Sequence, residues 1–138
     1  MISQAIIDAF MVNLKDITEI KNVFEWLSRP LDNDEYPALS LRDPADKVKS
    51  ISLGTAEKHT LLLEVDVAMS PTLYEAREIR ELVPKIKQAF ANTLDSDGLY
   101  FIGRYLGRTI IGEHKDYFYV ASRLTFEVDF DTQKWKEV

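Results

Sequence analysis

A chain of 138 residues is one domain's worth, long enough to bury roughly two-thirds of the surface it exposes when unfolded, and the lack of cysteine rules out disulfides and thiolate metal sites. Its 17 basic and 23 acidic side chains leave a net charge of −6, which repels polyanions at long range and argues against nonspecific binding to nucleic acid. No stretch approaches the roughly 20 apolar residues of a membrane span. The first residues lack both a basic n-region and a small-residue cleavage site, so the expectation is a protein made and folded in a reducing cytoplasm.

Ile2, Ile6, Phe10 and Leu14, flanked by Ala5 and Ala9, recur at helical spacing and predict a helix to about Asp16. Ile17 to Leu27 fits either a continued helix or a strand, and a strand over Val23 to Leu27 is preferred. Ser28 to Tyr36 is loop-like. Pro37 disfavours helix before it, and Ala38 to Arg42 alternates as a short strand ended by Asp43 and Pro44. A second weak alternation covers Val48 to Leu53.

Leu61, Leu63, Val65 and Val67 point one way, with Thr60, Glu64 and Asp66 opposite, a period-two strand. Ser70 and Pro71 open a second helix running to about Asn92, with Ile79, Leu82, Val83, Ile86 and Phe90 as its apolar stripe and Pro84 inside it. After a turn at Asp95 to Gly98, Leu99 to Leu106 and Arg108 to Glu113 read as two strands or one bulged strand, with Gly103 and Gly107 at bulge or turn positions. The closing strand, Tyr117 to Phe130, places Phe118, Val120, Leu124, Phe126, Val128 and Phe130 on one face. Extended, it would span roughly 45 Å, so its end is expected to bend or project.

These elements predict a single α+β domain over residues 1–138, a mainly antiparallel sheet packed on one face against two helices in the order α-β-β-α-β-β. No phosphate-binding glycine pattern, nucleophile elbow or cysteine nucleophile is present, so no enzyme activity and no cofactor is expected. Asp32 to Glu35 resembles the start of a calcium loop but meets Pro37 where glycine is required. Glu113, His114 and Asp116 sit on an expected polar turn, where neighbouring residues rarely converge on a metal. Glu64 and Asp66 on one strand, and Glu127 and Asp129 on another, would form an acidic strip if the strands are neighbours, with Arg123 as partial compensation. In a ring, such a strip would line a channel and repel passing DNA.

The element order, the run Pro37-Ala38-Leu39-Ser40-Leu41-Arg42-Asp43, the strand Leu61 to Val67 and the closing strand to Phe130 resemble phage tail terminator, or tail-completion, proteins. The resemblance implies a homo-oligomeric, commonly hexameric ring that caps the tail tube and meets the head-tail connector. It implies a virion protein assembled in the host cytoplasm, with no membrane and no specific nucleic-acid partner. Candidate ring contacts are the Arg29 to Tyr36 loop, with Tyr36, the turn at Lys115, and Trp135 near the end of the chain. The alternative is a small ligand-binding or regulatory domain with a pocket between the second helix and the sheet.

Overall fold

The computed structural model describes residues 2–50, 56–70, 76–95, 101–115 and 118–133. Helix α1 (Ile2–Lys15) matches the first predicted helix and buries Ile6, Ile7, Phe10 and Leu14, while Lys15 complements the negative end of the dipole. Turns closed by Ile17 N–H to the Leu14 carbonyl and Ile20 N–H to the Ile17 carbonyl tuck both isoleucines under the helix. Strand β1 (Asn22–Glu25) then resolves the ambiguous segment in favour of strand. It stops two residues short of the predicted Leu27 because Trp26 takes a φ of +50°, outside extended geometry.

Strand β2 (Ala38–Ser50) unites what the sequence suggests are two short runs. Pro44 is accommodated because the register against β3 (Ala56–Ala68) shifts between Arg42 and Ala45, a bulge in which a missing N–H interrupts no ladder bond. Residues 51–53 of the second expected run lie outside the described residues, as do Pro71 and Glu75 at the predicted start of the next helix. That helix, α2 (Ala76–Leu94), runs through an exposed Pro84 and buries Ile79, Leu82, Ile86, Ala89, Phe90 and Thr93. Strand β4 (Ile102–Lys115) is one doubly bulged strand. Gly107 (φ +132°) lies at its first bulge and Gly112 (φ +63°) at its second, backbone states that only glycine adopts freely. The expected turn from Glu113 to Asp116 is corrected at its first residues: Glu113, His114 and Lys115 stay paired with Val120, Tyr119 and Phe118 of β5 (Phe118–Gln133), and Asp116 lies outside the described residues.

The sheet order is β1-β2-β3-β5-β4. β1 pairs with β2 in parallel and every other pair is antiparallel, so the sheet is mixed and the order is α-β-β-β-α-β-β. This corrects the expected α-β-β-α-β-β. Residues 26–37, including a 3-10 turn at Asn33–Glu35 and a cis Tyr36–Pro37 bond, bring the chain back alongside β1.

Both helices cover one face. Phe126 is the centre of this core, with ring centroids 4.5 Å from Phe90, 5.2 Å from Tyr105 and 5.6 Å from Phe10. Gly103 lets α2 approach β4 closely: a Cβ there would lie 2.6 Å from Leu94 and 2.8 Å from the Phe90 ring tip. The single apolar face expected for the last strand is also corrected. The register shifts so that Val67 pairs with Ser122 but Ala68 with Val120, and this extra residue turns Phe118 and Val120 to the opposite face. There they form a second apolar cluster with Ala38 and Ala68, roofed by Phe24, Leu27, Leu31 and Tyr36.

Candidate functional site

Three zones follow one another along the sheet face that the helices leave open. At one end the 26–36 loop roofs the Phe118 cluster. Arg29 holds this loop in shape with a two-pronged bond to Glu35, Nη1 to Oε1 at 2.9 Å and Nη2 to Oε2 at 2.6 Å, and its guanidinium lies over the Phe24 ring. Glu35 Oε1 also accepts the Asp32 N–H. The arginine, aided by that backbone donor, lowers the Glu35 carboxyl from 4.5 to about 2. The aspartates and glutamate that resembled a calcium loop thus serve a local turn.

In the middle zone, β3 and β5 are neighbours, as the acidic strip requires. Asp66 is 1% exposed and receives Arg123 Nε at 2.6 Å and Nη2 at 3.1 Å. Arg42 bonds Glu64 and lies 3.7 Å from Asp66, so two arginines are interleaved with two carboxylates. The Asp66 carboxylate in turn holds the Arg123 guanidinium above its ordinary value. At the far end, Arg104 bridges Glu127 and Asp129, with Nη2 3.0 Å from Glu127 Oε2 and Nη1 3.0 Å from Asp129 Oδ2. Thr60 Oγ1 donates to Asp129 at 2.9 Å, and Arg104 first, then Thr60, keeps that carboxyl below its usual range. The structure therefore brings Glu64, Asp66, Glu127 and Asp129 onto one face, each matched by an arginine. Arg42 and Arg104 are the partners the sequence reading did not name.

Of the candidate interface residues, Tyr36 is half-buried against the Phe118 cluster. Lys115 ends β4 with its backbone paired to Phe118, and Trp135 lies outside the described residues. The other tryptophan, Trp26, is 46% exposed; its Nε1–H donates to Asp43 at 2.7 Å and Arg42 lies over its ring. A left-handed backbone under a large side chain is sterically costly, here by roughly 1–2 kcal/mol.

Large exposed aliphatic side chains gather on β4, at the sheet edge: Ile102 is 69%, Leu106 50% and Ile110 74% exposed. The sequence reading did not single them out, although three large aliphatics spaced four apart in a strand were a visible signal, since regular strand alternation puts positions four apart on the same face. Sheet edges usually carry charge in place of such side chains.

His59 is buried, stacked on Phe130, with Nδ1 2.9 Å from Asp46 Oδ1. Among the described residues no group of three or more metal-ligating side chains converges, and no helix is long and apolar enough to cross a membrane. The space between α2 and the sheet, where a ligand pocket was the alternative expectation, is filled by Ile79, Leu82, Ile86 and Phe90. A cavity of about 250 Å³ opens beside it, lined by Glu19, Pro37, Met69, Glu78, Glu81, Leu82 and Lys85.

No protein family matches the sequence, and no curated protein matches it either. Among solved structures, the chain is similar to the bacteriophage SPP1 gp17 protein, at 18% identity and a TM-score of 0.50, over 96% of this chain and 91% of that one. The likeness is one of fold. It extends over nearly the whole of both chains.

Proposed function

We propose that this chain is a structural virion protein of the tail-terminator type, a homo-oligomeric ring that caps the tail tube and joins it to the head connector. The observation that carries the reading is the end-to-end fold likeness to a bacteriophage protein, 96% of one chain on 91% of the other. The segments on which the resemblance to tail terminators rests, Pro37 to Asp43, Leu61 to Val67 and the strand ending at Phe130, form the central β2-β3-β5 part of the sheet. An exposed aliphatic edge on β4 supports a protein that meets other chains through its surface.

On this reading the role is geometric and not enzymatic, and no cofactor takes part. The charged face bearing Glu64, Asp66, Glu127 and Asp129 turns toward the channel, where DNA passes a surface of paired charges. The partners are further copies of the chain, the tail tube and the connector, and the protein resides in the virion after assembly in the host cytoplasm.

Negative-stain imaging across a range of concentrations, with and without purified tail tubes, tests it. Closed rings with an axial hole, seated on tube ends, are expected, because assembly is driven by mass action. A monomer under every one of these conditions overturns the reading.

A further inference from the structure

Among the described residues the sheet has two open edges, and they are complementary. One is β4. The other is β2 beyond Leu41, since β1 pairs only with Ala38 to Leu41. Strand direction reverses at each step from β2 through β3 and β5 to β4, so β4 runs opposite to β2. A second copy set beside the first in the same orientation therefore presents its β2 antiparallel to β4, the pairing used by every long ladder in this sheet.

Both edges carry exposed apolar side chains, Leu106 and Ile110 on β4, Trp26 (46%) and Val48 (53%) at β2. Two exposed side chains of opposite charge stand among them. Arg108 is exposed on β4 and, among the described residues, makes no ion pair. Glu25 is exposed at the end of β1, likewise without an ion pair among the described residues. Bulges limit regular pairing on β4 to short stretches, and Gly107 to Ile110 is one that contains Arg108.

Resting on the ring reading above, we infer that copies of this chain join head to tail, the β4 edge of one against the β2 edge of the next. Arg108 faces Glu25 of the neighbour, Leu106 lies beside its Trp26, and Ile110 packs along its β1. A two-fold β4-to-β4 contact would instead bring Arg108 near its own copy, and like charges across a strand pair are destabilising. A head-to-tail contact leaves one edge of each kind open, so it propagates until the ring closes.

Light scattering on sized fractions tests the inference with Ile110→Asp, Arg108→Glu and the charge swap Arg108→Glu with Glu25→Arg. All three positions are exposed, and circular dichroism checks that each variant is folded. The single variants are expected to raise the concentration for half-assembly at least about tenfold, and the swap to recover most of that loss. Single variants that assemble like the wild type, or a swap that recovers nothing, overturn this edge pairing while leaving the ring reading standing. A wild-type assembly that stops at two copies also overturns it, in favour of β4-to-β4 pairing. A wild type that stays monomeric even with tail tubes removes the ring reading and this inference together.

Discussion

Asp66 and Arg123 sit directly across from each other on β3 and β5, with the carboxylate 1% exposed and the guanidinium bonded to both of its oxygens. Arg42 approaches the same carboxylate from β2, and among the described residues its Nε has no hydrogen-bond partner. Asp66 and Glu64 together therefore compensate two cations in the middle of a sheet, and Asp66 is the buried carboxylate that both arginines approach. Removing it as Asp66→Ala leaves both arginines short of a partner, and is expected to cost about 3 kcal/mol in urea unfolding. A loss below about 1 kcal/mol, typical of exposed pairs, would show that water replaces the carboxylate.

The Arg29–Glu35 pair makes the 26–36 loop sensitive to acid. Because the Glu35 carboxyl is lowered from 4.5 to about 2, its contribution is fully present above pH 4.5 and is lost as the pH falls through about 2. A carboxyl-detected NMR titration is expected to place the Glu35 midpoint near 2, and Arg29→Ala to move it back toward 4.5. An unchanged midpoint in the variant would remove the arginine as the cause.

The two apolar clusters predict two kinds of mutant. Phe126→Ala empties the centre of the helix-covered core and is expected to lower global stability by about 3–5 kcal/mol. Phe118→Ala acts on the opposite face, beneath the loop. Its mark is faster hydrogen exchange at the Leu27 amide, which donates to Ser40 Oγ, with little change at Val65 in the central strand. Equal effects at both amides would show one cooperative core in place of two.

Gly103 is required by contact, not by backbone conformation. Gly103→Val would press into Leu94 and the Phe90 ring tip, which is held in the core, and is expected to cost about 1–3 kcal/mol by thermal or chemical unfolding. Gly107→Ala meets no neighbouring atom, so any cost there comes from its φ of +132°.

Local pattern was enough for the elements that bury a regular stripe. Phe10 and Leu14 in α1, Ile79 to Phe90 in α2, and Leu61 to Val67 in β3 are where periodicity places them, because each packs a single face against a single core. The pattern misled where one residue is inserted. At the start of β5 the bulge against Ala68 moves Phe118 and Val120 to the other face, and at Pro44 a bulge turns an expected strand end into the middle of β2. A bulge is decided by the partner strand's register, which no single segment contains.

The same division holds for the candidate site. The sequence by itself determined that Glu64, Asp66, Glu127 and Asp129 share a face if β3 and β5 pair, because strand alternation fixes which way each side chain points. Only the tertiary structure decided that Arg42, Arg104 and Arg123 lie among them, and that Asp66 is buried. It also decided that β4 ends the sheet and leaves Ile102, Leu106 and Ile110 uncovered. The physical reason is that side-chain direction is a property of one strand, whereas charge pairing and edge exposure are properties of strand order, set by contacts between residues far apart in the chain.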